Sequence, residues 1–160
     1  NHLVLTNESS MLVEDYQFEY NPTSTIYFSS NLRVIDGSYI HLFPEEDLIN
    51  NIAIISNIAL NYARDDLSLF SISLKKKYKK ETHESVIRQK LVHYFGGSES
   101  NYTFEKSFLI NNGTIKQQVG FFDQEKTFHG EYTVCGDYFE NGSIEGATIS
   151  GIKAYEQLKK

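Results

Sequence analysis

Two Asn-Gly dipeptides, Asn112-Gly113 and Asn141-Gly142, stand between runs of alternating apolar residues. Asn-Gly suits a two-residue type I′ corner, because both of its central positions need positive φ. Folding the first pair this way opposes Ile110 to Ile115 and Phe104 to Phe121, so that the apolar rows of two strands coincide. Folding the second opposes Phe139 to Ile144 and Cys135 to Thr148, while Tyr132, Val134 and Tyr138 share the other face with Ala147 and Ile149. Both faces of such a ribbon are partly apolar. The sheet is therefore expected to be covered on both sides or to curl into a barrel.

The first half carries the same period. Leu12, Tyr16, Phe18 and Tyr20 alternate with Val13, Asp15, Gln17 and Glu19, and Ile26, Phe28, Leu32 and Val34 with Thr25, Tyr27, Asn31 and Arg33. Asp36-Gly37 reads as a hairpin corner that opposes Val34 to Tyr39 and Leu32 to His41. Pro44 followed by Glu45, Glu46 and Asp47 reads as a helix start, with Leu48, Ile52, Ile55, Ala59 and Tyr62 at helical spacing. Ile58, Leu60 and Tyr62 equally permit a strand. Leu67 to Tyr78 reads as extended. Thr82 to Phe95 reads as a helix with Ile87, Leu91, Tyr94 and Phe95 on one side and Gly96-Gly97 as its stop.

Leu, Ile, Val and Phe make up 46 of the 160 residues, enough apolar side chain for one folded domain. The expectation is a single β-rich α+β domain over residues 1–160, with a twisted antiparallel sheet or barrel of seven to nine strands and one or two amphipathic helices. A formal charge of −6 opposes general nucleic-acid binding. The longest apolar stretch, Ile52 to Leu60, is too short to cross a bilayer. One cysteine, Cys135, excludes an internal disulfide and a thiolate zinc cage, and it reads as a packing residue. The chain starts at Asn1 with neither Met nor a leader, which points to processing or excision and leaves a soluble protein of open compartment. Sequons at Asn7, Asn101, Asn112 and Asn141 would suit a glycosylated exported protein, with chance in an Asn-rich chain as the bland alternative, so the compartment is either cytoplasmic or exported.

No phosphate-binding glycine motif and no Gly-x-Ser-x-Gly elbow occurs. The five histidines show no metal-binding spacing, so neither a metal nor a cofactor is expected. His129 and Glu131, two apart on a strand, point the same way and could form a general base with its orienting carboxylate. A solvated same-face pair is the bland alternative. Tyr102, Phe104, Phe121 and Tyr132, with His129 and Glu131, are the candidates to line a concave apolar pocket. Lys75, Lys76, Lys77, Lys79 and Lys80 form a basic run suited to an anion or an acidic partner, or simply to a solvated strand end. Ile26–Arg33 resembles a strand of the lipocalin-like bilin lyases over eight residues; the rest of the chain does not follow that family, and no function is carried over.

Noncatalytic binding is the leading expectation: a small apolar ligand in a β cup, or a protein partner on a sheet face. The alternatives are a small acid–base enzyme using His129 and Glu131, and a subunit or accessory domain of a larger assembly docking through its lysines or a strand edge. Self-association is left open.

Overall fold

The computed structural model describes residues 3–6, 9, 18–34, 37–64, 66–117, 119–120 and 132–159. Its strands are β1 (Leu3–Thr6), β2 (Tyr20–Ser30), β3 (Ile40–Leu42), β4 (Ile49–Ile54), β5 (Ser68–Leu74), β6 (Tyr102–Ile115) and β7 (Tyr132–Cys135), and its helices α1 (Lys80–Phe95) and α2 (Ile144–Leu158). The chain divides into two compact units, Pro22–Asn111 and Asn1–Asn21 together with Asn112–Lys160.

Pro22–Asn111 is built on a five-stranded antiparallel sheet in the order β3-β4-β5-β2-β6. β2 faces β5 from Ser24↔Leu74 to Ser30↔Ser68, and β4 faces β5 from Ile49↔Leu74 to Ile54↔Phe70 with one irregularity near Asn51. Strand alternation sends Ile26, Phe28, Ile52, Ile54, Phe70 and Ile72 to one face, all buried, where Ile87 and Leu91 of α1 join the same core. Each fully buried aliphatic or aromatic side chain there contributes about 1.5–3 kcal/mol. Arg88 reaches from α1 to the sheet, donating to the Tyr102 carbonyl at 2.7 Å and to Glu84 Oε1 at 2.8 Å. Gly96 closes the helix with φ +84°, its N–H donating to the Val92 carbonyl at 2.9 Å.

The other unit pairs β1 with β7 in parallel, Leu3↔Tyr132 to Thr6↔Cys135. Gly146, Ser150 and Ala154, one helical turn apart, are the buried stripe of α2. Phe18 stacks on Tyr138 with centroids 4.4 Å apart, and Tyr138 Oη donates to the Cys135 carbonyl at 2.7 Å. Cys135 is buried and unbridged, and burial pushes its thiol pKa up.

The α+β class holds, as do the extended reading of 67–78 over its Ser68–Leu74 part and the helix ending at Phe95. Strands are fewer than seven to nine in one sheet: the described residues form a five-stranded and a two-stranded sheet, and no barrel closes. Asn112-Gly113 is no corner, since β6 runs through it. Pairing with β2, where Phe104 meets Phe28 edge-on, outweighs the local turn preference. Asn141-Gly142 leads into α2 instead of a strand, because Ser143 caps the helix by accepting from the Gly146 N–H at 3.0 Å. Asp36-Gly37 does not pair β2 with β3. β2 pairs with β5, and β3 pairs with β4, placing His41 opposite Ile52 and not Leu32. The expected helix from Pro44 is overturned by strand β4 and two short 3-10 turns at Ile55–Asn57 and Leu60–Tyr62, since β-branched Ile49, Ile52 and Ile54 favour the pleated core. Residues 12–17 of the expected first strand and position 36 lie outside the described residues.

Candidate functional site

The face of the sheet turned away from α1 carries Thr25 and Tyr27 of β2 and Leu69, Ser71 and Ser73 of β5, in the gaps of the buried alternation, together with the buried Ser29. Small hydroxyl residues leave this face low, and the larger side chains rise at one end of it. Tyr27 and Phe108 meet edge-on with centroids 5.9 Å apart, and Lys106 lies 4.9 Å from the Phe108 centroid. Ser29 Oγ donates to Glu105 Oε1. Glu105, Lys106 and Phe108 of the edge strand β6 all reach this groove. The result is an open groove of about 530 Å³ lined by Tyr27, Ser29, Leu67, Leu69, Glu105 and Phe108, with Ala63, Arg64 and Lys106 at its border.

A second depression of about 390 Å³ shares Arg64 and Leu67 with the first and adds Arg33, Ser56, Asn57 and Asp66. Its small polar side chains are tied to backbone. Ser56 Oγ accepts from the Leu69 N–H at 3.0 Å, Ser68 Oγ accepts from the Val34 N–H at 3.0 Å, and Asn57 Nδ2 donates to the Gly37 carbonyl at 3.1 Å.

The residues expected from the sequence to line a pocket are placed differently from one another. Tyr102 is wholly buried in the core beneath α1, and its hydroxyl donates to the Gly96 carbonyl at 2.9 Å. Burial raises its pKa. Phe104 packs on that same core, whereas Tyr132 belongs to β7 in the other unit. Phe121, His129 and Glu131 lie outside the described residues. The lysine run is divided in role. Lys75 Nζ donates to the carbonyls of Phe43, Pro44 and Glu46 at 2.9, 2.9 and 2.6 Å and so anchors a loop. Lys77 Nζ donates to Asn111 Oδ1 at 3.4 Å, Lys80 lies 6.0 Å from the Phe104 centroid, and Lys76 and Lys79 are exposed. The groove residues Tyr27, Leu69 and Phe108 escaped the sequence reading because polar Ser and Thr share their face; the alternation of Tyr27 against Phe28 was the available signal.

Glu46 forms a different cluster. Its carboxylate accepts from Lys90 Nζ and from Tyr94 Oη, tying the 43–47 loop to α1. The hydrogen bonds from Lys90 and Tyr94 hold the Glu46 carboxyl below its usual range, and Tyr94, desolvated and facing that carboxylate, is pushed up to about 12. Every charged group there has its partner, so the cluster is a clasp.

In the second unit, β7 ends at Gly136, and a short 3-10 turn, Asp137–Phe139, leads to the N-terminus of α2. The half-buried Asp137 carboxylate has no partner among the described residues, and Ser143 occupies one first-turn donor of the helix. Among the described residues no cluster of His, Cys, Asp and Glu could hold a metal ion, and no helix is long and apolar enough to cross a membrane.

No family model matches the sequence, and no curated protein matches it. Solved structures do share the fold. A Pyrococcus furiosus protein superposes with a TM-score of 0.61 at 15% identity over 88% of this chain. A protein named as an oxidoreductase from Methanosarcina mazei gives 0.59 at 13% identity over 87%. A protein from Exiguobacterium sp. 255-15, provisionally named protoporphyrinogen oxidase, gives 0.73 at 13% identity over 98%. The chain spans only 32%, 35% and 40% of those three structures, in that order. At such identities the likeness shows the fold alone.

Proposed function

We propose that this chain is the sheet-bearing part of a larger dinucleotide-dependent oxidoreductase, with the open sheet face of Pro22–Asn111 receiving the substrate. The observation that carries this reading is the strand-to-helix passage from β7 into α2. β7 lies parallel to β1, and its carboxyl end runs through Gly136 and Asp137 to a helix N-terminus. Ligands of open parallel α/β layers bind beyond the carboxyl ends of the strands, with a phosphate at the helix N-terminus and an acidic side chain on sugar hydroxyls. The donor set fits that division: Asp137 offers a carboxylate to hydroxyls, and the first turn of α2 offers backbone N–H groups.

Two of the structures of this fold are named as an oxidoreductase and as an oxidase, and an oxidase passes electrons to dioxygen, which among dinucleotide cofactors suits a flavin. Bound flavin would supply hydride acceptance. The chain's own part is to bind: in one unit Asp137 and the α2 N-terminus would hold the cofactor, and in the other Tyr27, Leu69 and Phe108 would hold an apolar ligand. The protein purified from its source as the full natural polypeptide should release a flavin, identified by absorbance and fluorescence, on denaturation. A colourless, fully folded protein that takes up no added flavin would overturn the reading.

A further inference from the structure

We propose that the Arg33 and Arg64 pocket is an anion subsite that selects ligands bearing a carboxylate, the ligand's apolar body lying in the adjoining groove of Tyr27, Leu69 and Phe108. As a substrate subsite it rests on the oxidoreductase reading; as a binding site it does not.

The chain has only three arginines. Arg88 is committed to Glu84 and the Tyr102 carbonyl, and the other two both line this one depression. Neither Arg33 nor Arg64 has an ionic partner among the described residues, and both are exposed. On a protein of charge −6 the described lining of this depression is positive. Asp36 and Asp65, the sequence neighbours of this region, lie outside the described residues.

The floor is fixed before a ligand arrives, because Ser56, Ser68 and Asn57 already bond backbone groups. Asp66 also lines the pocket, so its described lining residues carry two guanidinium groups and one carboxylate, an excess of one positive charge among them. That excess complements a monoanion better than a doubly charged phosphate. A guanidinium also matches the planar carboxylate with paired N–H donors. Arg64 and Leu67 border both depressions, so one molecule can place its charged end on the arginines and its apolar end between Tyr27 and Phe108.

The test compares naphthoate, naphthylmethanol and naphthyl phosphate by fluorescence titration, which vary the head group on one aromatic body. Naphthoate should bind tightest. Arg33→Gln and Arg64→Gln should each lower naphthoate affinity by about tenfold, the scale of a charge-assisted bond, and leave naphthylmethanol unchanged. Tyr27→Ala should weaken both ligands. Equal binding of naphthoate and naphthylmethanol, tighter binding of the phosphate, or unchanged naphthoate affinity in the folded double Arg→Gln variant would overturn the subsite. Flavin in the natural protein without this discrimination removes the subsite and leaves the oxidoreductase reading; discrimination without flavin does the reverse.

Discussion

Tyr102, the first residue of β6, donates its buried hydroxyl to the carbonyl of Gly96, the residue that ends α1, at 2.9 Å. One side chain thus fills the core and closes the helix end. Tyr102→Phe keeps the packing and strands the carbonyl, at a cost of about 1–2 kcal/mol. Tyr102→Ala adds a cavity and should cost about 3–5 kcal/mol. Urea denaturation measures both, and equal losses would show that the hydroxyl contributes nothing.

The two glycines after α1 should differ in their response to alanine. Gly96 and Gly97 have φ of +84° and +76°. A methyl at Gly96 meets open space, whereas one at Gly97 would come within 2.3 Å of Leu32 Cδ1 and 2.8 Å of Asn101 Oδ1. Gly96→Ala should cost about 1–2 kcal/mol for the left-handed backbone, and Gly97→Ala more. Thermal unfolding of the pair checks the order.

Ile87 and Leu91 are wholly buried on the sheet side of α1. Replacing either by Ala should cost about 2–5 kcal/mol. A loss below about 0.5 kcal/mol, the scale of a surface substitution, would place that face in solvent.

The Glu46 clasp makes stability depend on pH in two windows. Glu46 has a lowered pKa when folded, so its contribution is present above its ordinary value of 4.5 and is lost as pH falls through the folded value. Tyr94 is raised from 10.0 to about 12, so its contribution is present below pH 10 and is lost as pH climbs toward about 12. Tyr94→Phe should flatten the alkaline limb and Glu46→Gln both limbs. Because the pair is partly exposed to solvent, each change at neutral pH should be no more than about 1 kcal/mol. Denaturation midpoints across pH supply the comparison.

What the sequence made legible was local and periodic. Leu67–Tyr78 reads as extended and forms a strand over Ser68–Leu74, and Thr82–Phe95 repeats at helical spacing with a glycine stop and lies within the Lys80–Phe95 helix. Partner choice was not legible. Asp36-Gly37 and Asn112-Gly113 look like corners joining neighbours in sequence, but β2 takes β5 and β6 as its partners, so long-range pairing decides the sheet order. Asn141-Gly142 misled for another reason: Ser143, one residue on, is a helix cap, and the Gly146, Ser150 and Ala154 stripe is too small to register as apolar period. The groove was hidden in the same way. It is made by the residues between the buried ones, Tyr27 and Leu69, joined by Phe108 of the edge strand β6. Arg33 and Arg64 are 31 positions apart in the chain and meet at one pocket only once the sheet is formed.

Side-chain methyl NMR of this chain titrated with naphthoate asks directly which face of the sheet receives a ligand. Leu67 and Leu69 should shift, while Ile26, Ile72 and Leu74, on the side covered by α1, stay in place. Shifts confined to Ile26, Ile72 and Leu74, or none in either set, would contradict the account.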